Sequence, residues 1–456
     1  MKKKLTFVFA TTLLLFTFFA CNSDDDVNNQ EETVNIVTEE NLPDIIRALS
    51  NTNYRVEASG DMGIAWSQQI QKLQYNDETR YIPRQGEVDN IWSSLYSRID
   101  DIEALINYAE ANDNDNLKAT ALVLKVYTFA LITDLFGDVP YFEASISDTP
   151  AYDLQETIYG ELISTLEQSN QLFNTTDVIN SNFDVLYQGD ANKWKRFSNS
   201  LKFKILMRAS NNLSVNAQLQ ELIDNGNLFN ANTEEAKYNY SGIGDDKNPI
   251  HETIVEGERH EYRSSAVLFS HLNNGLDPRT SKMIGLNQNG EYVFGGFDGL
   301  ISPIAELYLR ADAPGYFLSY SELEFLITEA AYKGYINVPV ESHYNAGVMA
   351  SFKANELTND EALSFLSTNP YDSSNALEQI GIQKYLALFC QGFEAWTEYR
   401  RTGFPELIPP VDAVLDQVPS RLNYPIFEQT TNTVNYNQAV LSQGEDNLIT
   451  PLWWQE

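Results

Sequence analysis

Residues 119–136 form a nearly uncharged stretch that restricts the folds open to this chain. Only Lys125 and Asp134 carry a charge within it. A helix that is apolar nearly all round must be covered on every side, either by a protein core or by lipid. A lysine in the middle of a membrane span costs roughly 2.5–3.5 kcal/mol. The segment therefore predicts a core helix, which Gly137 and Pro140 end.

Other segments show the periodicity of amphipathic helices, with apolar residues recurring at three- and four-residue steps. These patterns predict helices at 42–49, 90–111, 154–172, 191–209, from 319, at 340–353, within 351–370 and at 377–401. Between 211 and 314, glycine, asparagine and aspartate become frequent, which predicts loops and one short hairpin near 287–294. The tail from 412 is also rich in turn residues. We therefore expect a mainly α fold in which paired helices flank an irregular region.

The N-terminus has the features of a secretory signal. Three lysines at 2–4 precede an uncharged apolar run at 5–19, and the small residue Ala20 follows. This run is shorter than the roughly 20 residues that a helix needs to cross a bilayer. The pattern therefore predicts a cleaved signal peptide at 1–20, which leaves Cys21 at the new N-terminus.

Cys21 could form a disulfide, stay a free thiol or carry lipid. Its only potential disulfide partner is Cys390, and a buried thiol does not suit so polar a segment. The remaining possibility, acylation, resembles the lipobox of bacterial lipoproteins, although Phe18 stands where leucine is usual. We interpret residues 21–37, which are acidic and rich in asparagine, as a lipidated flexible tether.

The charge of the chain limits its partners. Removal of the signal peptide leaves 27 basic and 64 acidic residues, a net charge of −37. Such a surface repels nucleic acid and anionic lipid. No nucleic acid partner is expected, and attachment to a membrane would depend on the lipid at Cys21.

The sequence offers no motif for catalysis, metal binding or a cofactor. A GxSxG elbow, a P-loop and a CxxC pair are absent, and catalytic carboxylate pairs cannot be picked out of 64 acids. His251 and His260 are nine residues apart, which does not place two imidazoles on one helix face. Asp245 and Asp246 lie in a glycine-flanked loop, where calcium is a weak alternative. We therefore predict neither an enzyme nor a metal or cofactor site.

Aromatic and amide side chains are concentrated early in the chain. Flat rings offer apolar faces to sugars or peptide side chains, and amides satisfy polar groups on the same ligand. Core packing is the alternative, favoured for Trp92 and Tyr96 because they lie on an amphipathic helix. It remains open whether the pocket forms here or in 211–314. The candidate ligand-binding residues are Trp66, Gln68, Gln69, Tyr75, Tyr81 and Trp92.

Four stretches together resemble the SusD/RagB family of Bacteroidetes outer-membrane lipoproteins, closest to its SusD-like nutrient-binding branch. They are "NLKATALVLKVYTFALITDLFGDVPYFEA" at 116–144, "SYSELEFLITEAAYKGYI" at 319–336, "QKYLALFCQGFEAWTEYRRTGFP" at 383–405 and "SRLNYPIFEQ" at 420–429. From the residues alone, Glu398 and Arg401 are expected to pair on a helix surface, and Trp396 to anchor helix packing.

The resemblance implies one SusD-like domain at 38–456. Four tetratricopeptide-like helix pairs would form a scaffold at about 38–210 and 319–405, with irregular parts at about 211–318 and 406–456. Family members sit on the outer leaflet, facing the cell exterior, and deliver oligosaccharides or peptides to a SusC-like TonB-dependent barrel without catalysis. In the family an acidic run after the lipidated cysteine resembles a surface-export signal, and Asp24, Asp25 and Asp26 occupy that place.

Two other functions remain open at this stage. One is a surface-anchored glycoside hydrolase that uses Asp/Glu pairs. The other is a tetratricopeptide-like adaptor that binds only protein. Product formation from a polysaccharide would favour the first, and binding to the barrel without affinity for a small ligand would favour the second.

Overall fold

A computed structural model describes residues 37–295 and 300–455. The predicted signal peptide, Cys21 and Asp24–Asp26 therefore lie outside the described residues. The helices are α1 Leu42–Tyr54, α2 Gln85–Ala111, α3 Asp115–Phe136, α4 Gln155–Leu172, α5 Ala191–Arg208, α6 Asn216–Asn225, α7 Ala266–His271, α8 Thr280–Met283, α9 Glu306–Leu309, α10 Tyr320–Tyr332, α11 Val340–Ala354, α12 Asn359–Thr368, α13 Ala376–Ala387, α14 Gly392–Thr402, α15 Ile426–Thr431 and α16 Thr433–Gln443. Two π-helical segments, Val56–Ile64 and His251–Glu256, and four short strands, β1 Ile70–Lys72, β2 Ala236–Tyr238, β3 Tyr262–Ser264 and β4 Gly315–Leu318, complete the main elements.

Helix pairs form the scaffold. In the row α2, α3, α4 and α5 each helix packs against the next, and α10 packs against both α11 and α13. By length and composition α3 could also cross a membrane, but most of it is buried inside the protein. The mainly helical fold predicted from the periodicity is confirmed, with α3 as a core helix.

The predicted single helix at 377–401 is wrong, because the chain bends between α13 and α14. Cys390 has a left-handed backbone conformation at the bend, with φ 65°. The Gln69 side chain fixes this bend: its Nε2 donates to the Tyr385 carbonyl over 2.9 Å, and its Oε1 accepts from the Cys390 N–H over 3.3 Å. A contact with a residue more than 300 positions away leaves no trace in local periodicity.

The predicted hairpin near 287–294 is also wrong. The Asn287 side chain accepts from the N–H groups of Asn289 and Glu291, which closes a turn without paired strands. The strands β2 and β3 of the irregular region instead pair with segments distant in the chain, β3 with β1 and β2 with β4, both antiparallel. In the tail, α15 and α16 form where the sequence indicated only turns.

Glu398 and Arg401 do pair, but not on the helix surface. Both side chains are buried, and Arg401 also binds Glu329 of α10. Trp396 is fully buried and its Nε1 donates to the Pro419 carbonyl over 2.8 Å, so its predicted packing role is confirmed.

Candidate functional site

The six candidate ligand-binding residues lie in two different environments. Five of them are buried: Trp66, Gln68, Gln69, Tyr81 and Trp92. The rings of Trp66 and Trp396 pack nearly at right angles, with centroids 4.8 Å apart, and the Trp66 Nε1 donates to the Glu78 carbonyl over 2.8 Å. These five side chains pack inside the protein. In this structure the three aromatic ones present no ring face to a ligand.

Tyr75 is the exception, because it is 75% exposed. It follows β1 and has a left-handed backbone conformation, with φ 50°. Its part in ligand binding stays a prediction.

The early segment and the irregular region meet in one small sheet. β1 pairs with β3, so Gln71 stands opposite Arg263. The Gln71 Nε2 donates to the Ser264 carbonyl over 3.0 Å and to the Phe294 carbonyl over 3.3 Å. The two segments, considered as alternative locations for a site, are therefore in contact.

Three aromatic rings gather beside this sheet, and we call them the aromatic surface: Phe269, Tyr292 and Phe294. The Phe269 ring centroid lies 5.4 Å from that of Tyr292 and 4.7 Å from that of Phe294. All three side chains are half-buried, so part of each ring faces solvent. Partial burial raises the pKa of the Tyr292 hydroxyl, which keeps it neutral.

The fold holds Phe269 from both sides. Ser265 caps α7 by accepting from the Leu268 N–H, which fixes the start of the short helix that carries the ring. The turn that follows α7 lies against the same ring, since a Cβ added to Gly275 would be 3.3 Å from its Cε2 atom. Leu276, 78% exposed, adds an apolar side chain next to this turn.

A buried ion network stabilises the sheet. Lys72 of β1 binds Asp61 at 3.1 Å and Glu78 at 2.8 Å, and the Tyr262 hydroxyl of β3 donates to Asp61 over 2.9 Å. Burial raises the pKa of Asp61. Burial alone would also raise the pKa of Glu78, but the hydrogen bond from Lys72 and its charge lower it below its ordinary value. The β1–β3 sheet beside the aromatic surface therefore carries a buried set of mutually paired charges.

The arrangement suits binding rather than bond cleavage. Partly exposed aromatic rings can pack against the apolar face of a sugar or against a peptide side chain. The amide nitrogen of Gln71, in the adjoining strand β1, is already occupied by backbone carbonyls. Within the described ranges no group of three or more His, Cys, Asp or Glu side chains is placed to hold a metal ion. Asp246 instead accepts from the Tyr238 hydroxyl and the Ser241 N–H in a local turn.

The aromatic surface was not predicted from the sequence. Two of its residues lie in "NQNGEYVFGGFDGLISP", which indicated only an irregular loop. The sequence did contain one signal for such a surface, namely aromatic residues in a glycine-rich loop. A loop runs over the protein surface, so aromatic side chains within it can remain partly exposed.

The fold and this surface define a helical binding protein with its candidate site on the less regular part. A family model described as "starch-binding associating with outer membrane", SusD-like, matches residues 29–425. The chain therefore belongs to the SusD-like family. Proteins of this family bind ligands and are not enzymes, and the chain is of that class. The hydrolase alternative is thereby excluded.

Several solved structures share this fold. A chitin-binding protein aligns with 91% of this chain and 99% of its own length, at 25% identity and a TM-score of 0.81. A chitin-binding SusD homologue from Flavobacterium johnsoniae aligns with 92% and 97% at 22% identity and 0.76. A SusD homologue from Bacteroides uniformis aligns with 91% and 99% at 22% identity and 0.79. A search of curated protein sequences gave no match.

Proposed function

We propose that this protein binds glycan oligosaccharides at the aromatic surface and delivers them to a SusC-like TonB-dependent transporter in the outer membrane. The three adjoining, half-exposed rings of Phe269, Tyr292 and Phe294 carry the glycan part of the proposal. The family's description as starch-binding and the chitin-binding names of two similar structures support the same ligand class. Peptides remain the second ligand class, because a flat apolar ring also accepts their side chains.

Replacing Phe269 by alanine is expected to weaken oligosaccharide binding by about tenfold or more, since truncating a central aromatic anchor removes most of its contact area. Isothermal titration of the full-length protein in detergent with maltohexaose and chitohexaose would measure the loss. Tyr292→Ala should act in the same direction, which guards against a folding defect in one variant.

Phe142→Ala is the matched control for this prediction. Phe142 is also an exposed phenylalanine, 52% accessible, but it packs against Tyr141 away from the aromatic surface. Equal affinities of the Phe269 and Phe142 variants for every oligosaccharide would contradict the proposed site. Tight association with the barrel and no affinity for any glycan or peptide would favour the protein-only adaptor.

The proposed location is the outer face of the outer membrane, held by lipid on Cys21 after cleavage at Ala20. The family's association with the outer membrane supports it. The acidic run Asp24–Asp26 is proposed as the surface-export signal. Co-purification with a TonB-dependent barrel from native membranes would test the partner.

Replacing Cys21 by alanine is expected to release the protein from the membrane, because the high negative charge provides no electrostatic attachment. Sucrose-gradient fractionation and immunoblotting would show this as a shift to the soluble fractions. Cys390→Ser is the matched control, since Cys390 is the other cysteine and is buried. Retention of the Cys21 variant in the outer-membrane fraction would contradict lipid anchoring.

A further inference from the structure

A concave site lies apart from the aromatic surface. It is a cavity of ≈ 520 Å³, and none of the three rings of the aromatic surface lines it. Its volume falls within the roughly 300–1,000 Å³ typical of small-ligand sites. Its walls come from the β2–β4 sheet, from the segment around α9, from the end of α11 and from the bend between α13 and α14.

The β2–β4 sheet provides one wall of the cavity, because successive side chains of a strand point alternately to the cavity and to the core. Lys237 stands opposite Tyr316, and both are half-buried, whereas Ala236, Tyr238 and Phe317 turn into the core. The Lys237 ammonium lies 5.4 Å from the centre of the Tyr316 ring. The Tyr316 N–H donates to the Tyr54 hydroxyl over 2.8 Å, which fixes the strand. An aromatic wall with a cation beside it therefore faces the cavity.

A second wall of the cavity is also aromatic and held in place. The Tyr308 hydroxyl donates to Asn355 Oδ1 over 2.9 Å, and its ring packs edge-on against Phe389 with centroids 4.7 Å apart. Phe389 belongs to the bend that Gln69 fixes. The buried Gln69 thus positions a cavity wall rather than contacting a ligand itself.

The charges around the cavity reverse the balance of the chain. Three cationic side chains line it, Lys237, Arg310 and Lys353, against two carboxylates, Glu235 and Glu356. Over the whole chain, 30 basic residues face 64 acidic ones. The residues that line the cavity therefore carry more positive than negative charge, unlike the chain as a whole.

Both carboxylates are already neutralised by neighbours. Glu356 binds Arg310 at 2.8 Å, and Glu235 binds Lys237 at 3.4 Å and accepts from the Tyr320 N–H. Lys353, at the end of α11, is exposed and has no carboxylate partner within residues 37–295 and 300–455. One cation at the cavity is thus left for a ligand.

From this arrangement we infer that the cavity binds a small acidic sugar, of mono- or disaccharide size, through its carboxylate. The Lys353 ammonium binds the carboxylate as a point charge. Tyr308 and Tyr316 supply ring faces for the body of the sugar, and Asn239 supplies an amide for its hydroxyl groups. This site shares no residue with the aromatic surface, so the inference can be tested separately from the proposed function.

A matched pair of probes tests the charge requirement: digalacturonate and its dimethyl ester, which has the same rings without the carboxylates. With the full-length protein in detergent, isothermal titration is expected to show at least about tenfold tighter binding of the acid, as a charge-assisted hydrogen bond provides. Lys353→Met should remove this preference. Lys282→Met changes the net charge equally outside the cavity and should preserve it.

The outcomes separate the two sites. Phe269→Ala should leave digalacturonate binding unchanged, because that ring does not line the cavity. Equal affinity for the acid and the ester, or an unchanged preference in the Lys353 variant, would overturn the inference. Loss of digalacturonate binding in the Phe269 variant would overturn it as well and would assign acidic sugars to the aromatic surface.

Discussion

Replacing Arg401 by methionine is expected to lower the free energy of unfolding by about 3–5 kcal/mol, the usual cost of removing one partner from a buried ion pair. The Arg401 side chain is 2% exposed. Its Nη1 donates to Glu329 Oε1 over 2.8 Å, its Nη2 contacts Glu329 Oε2 at 2.5 Å, and its Nε donates to Glu398 Oε1 over 3.0 Å. One guanidinium therefore holds two buried carboxylates from α10 and α14.

The pKa values of these carboxyl groups explain the direction of the effect. Burial alone would raise the pKa of Glu329, but the charge and hydrogen bonds of Arg401, together with the charges of Lys384 and Lys333, hold the pKa well below the ordinary value of 4.5. The pKa of Glu398 is likewise well below its ordinary value. Without Arg401, Glu329 keeps Lys384 and Lys333, and Glu398 keeps Lys384 and Arg208. Both carboxylates nevertheless lose a hydrogen-bonded guanidinium, so their buried negative charge is less fully compensated.

Urea unfolding followed by circular dichroism would measure the loss, with Arg47→Met as the control. Arg47 is 38% exposed and pairs with Asp44 at 3.3 Å on the surface of α1. An exposed pair of this kind contributes about 0–1 kcal/mol. Similar stabilities of the two variants would contradict the account of Arg401.

The same contact predicts a pH dependence with a defined sign. Because folding lowers the pKa of Glu329 and Glu398, their contribution to stability is complete above the ordinary pKa of 4.5 and is lost as the pH falls. The difference in stability between the wild-type protein and the Arg401 variant should therefore be largest at neutral pH and shrink below it. A difference that grows on acidification would contradict this.

Arg401 also shows what the sequence could and could not predict. Its three-residue spacing from Glu398 indicated the pair, because neighbours on one helix face follow from local geometry. Its burial depends on Glu329, 72 positions away in the chain. The mainly α fold and α3 were predictable for the same local reason, whereas the bend at Cys390 and both small sheets depend on contacts between distant segments.

In the candidate site, too, local sequence indicated the residue types, whereas contacts between distant segments decide which rings reach the surface. The early tryptophans were reasonable candidates by residue type, but Trp66 and Trp92 are buried with other rings, as large aromatic side chains often are. Phe269 and Phe294 are 25 positions apart and meet through tertiary packing beside the β1–β3 sheet. Residue type alone did not distinguish a ring in the core from a ring at the surface.

Replacing Gly392 by alanine is expected to destabilise the protein by roughly 3 kcal/mol, the upper part of the usual range for overpacking. Gly392 begins α14, where the helix meets the π-helical segment Val56–Ile64. A Cβ at this position would lie 2.5 Å from the Ile64 backbone nitrogen and would also collide with the Ser59 carbonyl oxygen. The contact is reciprocal, since a Cβ on Gly63 would lie 2.6 Å from the Phe393 backbone nitrogen. Backbone atoms on both sides cannot rotate away as a flexible side chain can.

Gly160→Ala is the matched control for Gly392→Ala, because it adds the same methyl group to an open position. Gly160 lies exposed inside α4, and an added Cβ would have no atom within 4 Å. Alanine there should raise the free energy of unfolding by about 0.5–1 kcal/mol, since it restricts the unfolded chain more than glycine does. Urea unfolding of the two variants should therefore move the midpoint in opposite directions. A Gly392 variant as stable as the wild-type protein would mean that α14 and the π-helical segment can separate without cost, and the close backbone contact would then contribute nothing to the fold.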